Sequence, residues 1–179
     1  SEDDTLGLIK SIPSNKIRII ETVWDDTKRV GGQTFALETD KAYQAISPDV
    51  DWAFYIQGDE CVHEDDLPVI KQSMEQYAAD EAVEGLLFHY RHFYGSYGHV
   101  AVSRRWYRRE IRVVKMHPGV HSYKDAQGFR KDGKKLKVKL IPAYINHYGW
   151  VKPPEGLNNK VRNFTQFYHD DAWLAENVP

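Results

Sequence analysis

The chain has 179 residues, of which 41% are hydrophobic and 28% charged, and a formal net charge of −2. This length predicts one domain with a real core, and the composition excludes a disordered chain. No apolar run approaches the length that crosses a bilayer, and the charge argues against a general nucleic-acid-binding protein. The only cysteine, Cys61, excludes an internal disulfide framework, suits a reducing compartment and is expected to be a small buried hydrophobe.

The first half of the chain predicts the order α-β-α-β. The segment Ser1–Ser11 predicts a helix that Asp3 or Asp4 caps at its N-terminus. The apolar pattern then predicts a strand over 16–23, a helix over 35–46 and a strand from Trp52. This order is typical of a parallel sheet with crossover helices, in which the apolar run from Trp52 would be a buried central strand.

The second half predicts further strands and a helical end. A helix is expected over 67–79, and strands over 82–90, 108–115 and 134–145. Residues 158–176 predict one or two helices anchored by aromatic side chains. The lysines of the last strand indicate a solvated sheet edge, with a contact to phosphate or anionic lipid as the alternative.

The segment Gln57-Gly58-Asp59-Glu60 forms an acidic tip directly after the apolar run from Trp52. Ligands bind at the carboxyl ends of strands in open α/β sheets. Carboxylates there can hold Mg²⁺ or Mn²⁺, which often share their ligand shell with substrate phosphates. An ordinary surface turn is the alternative, because Gly-Asp is common in turns.

The order of several short motifs resembles family 2 glycosyltransferases of the GT-A type. The resemblance covers about residues 1–152 and rests on weak motifs in a moderately specific order. The motifs are Ser1-Glu2-Asp3-Asp4-Thr5, Gly31-Gly32 followed by a helix with Ala36 and Asp40, Gln57-Gly58-Asp59-Glu60, Phe88-His89-Tyr90, Trp106-Tyr107-Arg108-Arg109-Glu110, Asp125-Ala126-Gln127-Gly128-Phe129-Arg130 and Asn146-His147-Tyr148-Gly149-Trp150. The later motifs look like a bacterial branch of these enzymes.

The resemblance implies a GT-A-like, Rossmann-like α/β fold over residues 1–152, with a mixed sheet flanked by helices, and a helical tail over 153–179 that packs on it. It implies transfer of a sugar from a UDP- or GDP-sugar, with inversion, to a saccharide or lipid-linked acceptor of the cell envelope. It further implies help from Mn²⁺ or Mg²⁺ and a cytoplasmic location with peripheral contact to the inner face of the membrane.

Two departures from the family pattern bear on these expectations. The first carboxylate of the family's Asp-x-Asp motif is the amide of Gln57, which can ligate a metal but brings no charge. The two strands that precede the Ser1 turn in the family, and that hold the nucleotide base, are absent. We therefore expect the natural protein to extend N-terminally by about one β-α-β unit, roughly 30 residues or more.

The resemblance assigns the metal to Asp59, with Glu60 and the late His147 as further ligands. An imidazole is a chemically sensible ligand for Mn²⁺. Gln57 and Asp59 would contact the donor, and Arg29 beside Gly31-Gly32 would offer a bidentate grip on phosphate. A solvent-exposed turn residue is the alternative for Arg29, and a histidine at the edge of the core that bonds to the backbone is the alternative for His147.

Glu110 is the base that the resemblance implies for the acceptor hydroxyl, and Asp125 is the alternative. The arginines around Glu110 are expected to keep its carboxyl ionised, so a structural salt bridge remains open for it. His89, Arg91 and His92 are candidates for the wall of the acceptor cleft.

Two other functions stay open at this point. A non-catalytic sugar- or nucleotide-binding module on the same scaffold is favoured by Gln57 and by the absent strands. A nucleotidyltransferase would share the metal–diphosphate chemistry, but Gly31-Gly32 is a poor match to a phosphate-binding loop.

Overall fold

The structure, a computed structural model, describes residues 4–28, 30–165, 167–169, 173 and 176. The described residues form four α-helices: α1 (Thr5–Ser11), α2 (Gln33–Gln44), α3 (Leu67–Gln76) and α4 (Pro154–Thr165). They also form eight strands: β1 (Trp52–Phe54), β2 (Glu60–Cys61), β3 (Gly85–Tyr94), β4 (Arg109–Lys115), β5 (Val120–Tyr123), β6 (Gly128–Lys131), β7 (Lys134–Lys135) and β8 (Val138–Trp150). Ser1–Asp3 and Arg29 lie outside the described residues.

A mixed five-stranded sheet with the order β1-β4-β3-β8-β2 forms the centre of the molecule. Neighbouring strands are antiparallel except for β3 and β8, which run parallel with His92 opposite His147. A second, antiparallel sheet has the order β5-β6-β7. The chain is therefore an α/β protein, as the sequence predicts.

The expectation of a parallel sheet with a central strand at Trp52 is wrong. The strand β1 lies at an edge of the main sheet and pairs antiparallel with β4. Its residues Trp52 and Ala53 are nonetheless buried, because layers on both faces of the sheet cover them. An apolar run thus reports burial and does not distinguish a central strand from a covered edge strand.

Two hydrophobic clusters lie against the main sheet. One joins Trp52 to Phe88 and to Ile70 of α3, and the other joins Ala53 to Phe129 of the small sheet and to Tyr43 of α2. The small sheet, which the sequence analysis missed over Val120–Lys131, therefore acts as a second layer beside α2. Its strands are short and separated by turns, so their apolar pattern is weak.

The strand expected over residues 16–23 is also not observed, since none of these residues is in a strand. Ile17, Ile20 and Val23 are exposed, and no described strand pairs with the segment. Arg18 Nη1 instead donates to the carbonyl of Ala45 at 2.8 Å, which ties the segment to the end of α2. An alternating apolar and polar pattern forms a strand only where a neighbouring strand offers backbone groups for hydrogen bonding.

Several boundaries differ from the expected ones. The predicted strand 134–145 is divided between β7 and β8, because Leu136 turns into the core between the two sheets. The strand β3 runs four residues further than expected, to Tyr94, and α4 starts at Pro154, four residues earlier than residue 158. Cys61 is exposed rather than buried. None of the described helices is both long and apolar enough to cross a bilayer.

Candidate functional site

A cavity of about 560 Å³ opens near the carboxyl ends of the parallel strands β3 and β8. These strands place His92 and His147 in its wall, and the acidic tip adds Asp59. Asp125, from the β5–β6 turn, and Lys160, from α4, complete a polar lining whose members are far apart in sequence. The structure thus brings Gln57, Asp59, Asp125 and His147 to one cavity.

Asp59, His147 and Lys160 form a charged cluster at one end of this cavity. Asp59 Oδ2 lies 3.3 Å from His147 Nε2 and 3.5 Å from Lys160 Nζ, and Lys160 also donates to the Gly149 carbonyl at 2.8 Å. Burial alone would raise the pKa of Asp59, but the hydrogen bond and charge of His147 and the charge of Lys160 outweigh it and lower that pKa. Burial lowers the pKa of Lys160, and Asp59 offsets part of that change.

The backbone of β8 shapes this cluster through Gly149. A methyl group at that position would overlap Asp59 Oδ2 and lie 2.6 Å from Lys160 Nζ and 2.7 Å from His147 Nε2. The Tyr148 amide donates to the Asp59 carbonyl at 2.8 Å, which fixes the acidic tip against β8. Only glycine leaves room for three polar groups to converge here.

His92 lies behind His147 and determines which ring nitrogen His147 presents to the cavity. Burial, followed by the charge of His147, lowers the pKa of His92 to about 4, so the ring is neutral at pH 7. His92 Nε2 lies 3.1 Å from the Tyr107 carbonyl and therefore carries the proton, which leaves Nδ1 to accept from His147 Nδ1 at 3.3 Å. His147 Nε2 then donates to Asp59 Oδ2 across 3.3 Å.

Glu60 does not join this cluster. Its carboxylate forms a buried ion pair with Arg112, with Nη2–Oε1 at 2.6 Å and Nε–Oε2 at 2.9 Å. The Tyr90 hydroxyl donates to Glu60 Oε1, and the backbone N–H of Gln57 donates to Glu60 Oε2 at 3.2 Å. Asp59 lies in a turn that the Glu60 amide closes on the Gln57 carbonyl at 3.0 Å, and β2 begins at Glu60, so Asp59 reaches the cavity while Glu60 turns into the protein.

The other residues expected to bind the donor have different outcomes. Gln57 lines the cavity. Its side-chain NH₂ donates to Tyr55 Oη at 2.8 Å, and its side-chain carbonyl takes no part in this hydrogen bond. Arg29 lies outside the described residues. Of the candidates for the acceptor cleft, His92 lines the cavity, whereas Arg91 and His89 pack on Tyr144.

Glu110 and Asp125 lie on the side of the cavity formed by the small sheet. Asp125 is in the wall, and its Oδ2 accepts from the Tyr168 hydroxyl at 2.8 Å. Glu110 lies behind the wall with 12% of its side chain exposed and with Oε2 4.0 Å from Arg112 Nη1. Burial, with help from Glu60 and Asp125, raises the pKa of Glu110 to about 7 although Arg112 opposes it. The expectation that nearby arginines keep Glu110 ionised is therefore wrong, because desolvation outweighs their attraction.

The Gly31-Gly32 turn supports Asp125. A methyl group on Gly32 would lie 2.5 Å from Asp125 Cβ. The amide of Gly32 donates to the Phe167 carbonyl at 2.9 Å, and that of Gly31 to the Tyr168 carbonyl at 3.3 Å. The turn thus holds Asp125 and its partner Tyr168 together. Its two backbone amides are hydrogen-bonded to carbonyl groups of the protein.

Sequence reasoning missed Arg112, Lys160 and Tyr168. Glu110 and Arg112 are two residues apart on β4, so their shared face was a usable signal. Lys160 and Tyr168 gave none, because only the position of the segment after β8 brings them to Asp59 and Asp125.

Asp59 and His147 are the two residues at the acidic tip that could hold a metal, although Lys160 already places a cation 3.5 Å from Asp59 Oδ2. Asp59 Oδ2 and His147 Nε2 face each other, and Mg²⁺ is commonly held by one or two carboxylates together with substrate phosphates. Glu60 does not fit as a third ligand, since its oxygens accept from Arg112, Tyr90 and Gln57. Among the described residues, no group of three or more His, Cys, Asp or Glu side chains is placed to hold a metal.

No protein-family model matches the chain, and a search of curated proteins returns no match.

Proposed function

We propose that the chain is a glycosyltransferase domain of the GT-A type that moves a sugar from a nucleotide-sugar donor to a saccharide or lipid-linked acceptor. The observation that carries this proposal is one cavity with a His–Asp–Lys cluster at one end and Asp125 in its wall. Glycosyl transfer needs charge neutralisation at a leaving diphosphate and a base at an acceptor hydroxyl. The two groups of residues can supply these two needs separately.

The cluster at Asp59 is the proposed diphosphate end. Lys160 contributes a cation whose Nζ is held by the Gly149 carbonyl and Asp59, so it can contact a phosphate oxygen without reorganising. A divalent cation bound by Asp59 and His147 would supply Lewis-acid stabilisation of the leaving diphosphate. His92 acts as a positioning residue, because its contact with His147 Nδ1 keeps His147 Nε2 directed toward Asp59.

Asp125 is the proposed base. Its carboxylate lines the cavity, and the Tyr168 hydroxyl holds one oxygen and leaves the other to accept the proton of the acceptor hydroxyl. Glu110 has a pKa of about 7, close to that of an efficient base, but lies behind Asp125. We assign the proton transfer to Asp125 because reach is required before pKa matters.

The test measures donor hydrolysis and transfer with UDP- and GDP-sugars and Mn²⁺, using the full-length natural protein. We expect activity that EDTA abolishes and that Asp59→Asn and His147→Ala reduce at least about a hundredfold. Asp65→Asn is the matched control, since that carboxyl lies on the surface with 87% of its side chain exposed. Activity that survives both EDTA and Asp59→Asn would contradict the metal role.

The same experiment separates the transferase from a non-catalytic module. Calorimetry that detects UDP binding without any turnover would identify a binding module and contradict the proposal. The base assignment is tested by Asp125→Asn and Glu110→Gln. A large loss of kcat in Asp125→Asn alone supports Asp125, whereas a large loss in Glu110→Gln alone assigns the base to Glu110.

A further inference from the structure

The segment Tyr94–Arg108, which follows β3 and leads into β4, has an unusual charge. It contains Arg104, Arg105 and Arg108 and no Asp or Glu, although the chain as a whole has a net charge of −2. All three arginines are exposed. The segment therefore forms a local cationic surface on a slightly acidic protein.

The same segment exposes large apolar side chains. The exposed fractions are 77% for Val102, 73% for Tyr97, 47% for Tyr94 and 42% for Val100. Apolar residues scattered singly on a surface need no explanation, but here four lie within nine residues and beside the arginines. Tyr94, Val100 and Val102 also line a second cavity, which shares Arg105 and Trp106 with the candidate active site.

The segment is held in place by backbone hydrogen bonds and by the packing of aromatic rings. The Ala101 amide donates to the His92 carbonyl at 2.8 Å, and the Tyr94 amide to the His99 carbonyl at 3.0 Å. Trp106 packs edge-on against Trp150 with ring centroids 5.6 Å apart. The exposed apolar groups are thus presented by an ordered segment, which lowers the entropic cost of binding a surface with them.

We propose that Tyr94–Arg108 docks the protein on an anionic membrane surface. Arginines beside exposed Tyr and Val side chains match the leaflet chemistry, because the cations attract anionic headgroups while the apolar groups enter the headgroup–acyl boundary. Trp and Tyr are also the residues that favour this boundary. The proposal goes beyond glycosyl transfer, since docking needs neither donor nor turnover. It places the mouth of the cavity, at Arg105 and Trp106, next to the membrane.

The lysine-rich stretch Lys134–Lys139 is the competing cationic surface, and the structure argues against it. Its Leu136 is buried, so it offers less apolar surface than Tyr94–Arg108. The amide of Lys137 and the ammonium of Lys131 both bind Glu84, which places a carboxylate within this surface. Lys134 and Lys135 are exposed and thus provide a matched control.

The test is co-sedimentation of the protein with phosphatidylcholine vesicles that contain or lack phosphatidylglycerol. We expect binding only when phosphatidylglycerol is present. Each neutralised arginine should lower the partition coefficient about fivefold, so Arg104→Gln/Arg108→Gln should lower it about 25-fold. Val102→Asp should also release the protein, while Lys134→Gln/Lys135→Gln should bind like the wild type. Far-UV circular dichroism verifies that each variant is folded.

Three results would overturn the proposal. One is a wild-type protein that does not bind phosphatidylglycerol vesicles. Another is equal loss of binding in the arginine and lysine variants, which would indicate a general charge effect. Binding that survives Val102→Asp but is displaced by inorganic phosphate at constant ionic strength would assign the arginines to a phosphate ligand and would also overturn docking. Donor turnover is measured separately, so failure of the docking proposal leaves the transferase proposal intact.

Discussion

Arg112 and Glu60 form a bidentate ion pair in which the two side chains are 1% and 0% exposed. The pair joins β4, the neighbour of the edge strand β1, to β2 at the opposite edge of the main sheet. Because Asp59 immediately precedes Glu60, the pair also fixes where the acidic tip meets the cavity. The ion pair is therefore a structural support of the candidate site, although neither of its charges belongs to the diphosphate end.

Removal of one partner of this pair should strongly destabilise the fold. Glu60→Ala leaves the Arg112 guanidinium buried without a counter-ion, and such changes cost about 3–5 kcal/mol. Urea unfolding followed by circular dichroism measures the loss. We expect Glu60→Leu/Arg112→Met to recover most of it, because an apolar pair of similar volume leaves no buried charge. A single variant within about 1 kcal/mol of the wild type would contradict this account.

Glu110 should make stability depend on pH in a direction unusual for a carboxyl group. Its pKa is raised from 4.5 to about 7, chiefly by burial, while Glu60 and Asp125 raise it further and Arg112 and Arg130 oppose them. The fold thus favours the protonated form. The contribution of Glu110 is fully present below about pH 4.5 and is lost as the pH rises through about 7.

Glu110→Gln, which mimics the protonated form, should gain stability relative to the wild type as the pH rises through this window. The gain is at most about 1.4 kcal/mol per pH unit for one proton, and urea unfolding at several pH values measures it. Glu75→Gln is the control, since that side chain is 67% exposed. Parallel stability curves for Glu110→Gln and the wild type would show that Glu110 titrates normally.

The elements that the sequence predicts well are those with strong local signals. The helices α2 and α3 and the strands β3 and β4 show apolar periodicity that matches their final burial. The segment 16–23 shows similar periodicity yet remains exposed, because pairing depends on a partner strand that no local pattern specifies. The position of Trp52 at an edge likewise depends on long-range order.

The sequence predicted part of the candidate site and missed what depends on long-range packing. Asp59 and Asp125 lie in turns and His147 lies near the carboxyl end of β8, and their shared cavity agrees with the rule that ligands bind at strand ends. The sequence predicted that the adjacent carboxylates of Asp59 and Glu60 act together, whereas Asp59 lies in the turn before β2 and Glu60 pairs with the buried Arg112. The pKa of Glu110 depends on burial, which the neighbouring arginines in the sequence do not reveal.

The two glycines of the Gly31-Gly32 turn offer a matched test of the support for Asp125. Their φ angles are +68° and +73°, so an alanine at either position pays about 1 kcal/mol or more for a left-handed backbone. Only Gly32→Ala places a methyl group 2.5 Å from Asp125 Cβ, since nothing lies within 4 Å of such a group at Gly31. We expect Gly32→Ala to lower the unfolding energy more than Gly31→Ala, because its methyl group meets Asp125, and we expect a loss of kcat in folded protein, roughly tenfold or more, in Gly32→Ala alone. Equal kcat values would show that the turn does not position Asp125.

Gly149→Ala should disrupt the diphosphate end while the fold persists. The added methyl group would overlap Asp59 Oδ2 and lie within 2.7 Å of both Lys160 Nζ and His147 Nε2, so these polar groups must separate. We therefore expect UDP affinity in the presence of Mn²⁺, measured by calorimetry, to fall about tenfold or more, because charge-assisted contacts each contribute about 1.5–3 kcal/mol. Gly98→Ala is the control, since its nearest neighbour would be 4.0 Å away. An unchanged affinity in Gly149→Ala would place the diphosphate elsewhere, because any ligand held by all three groups must respond to their displacement.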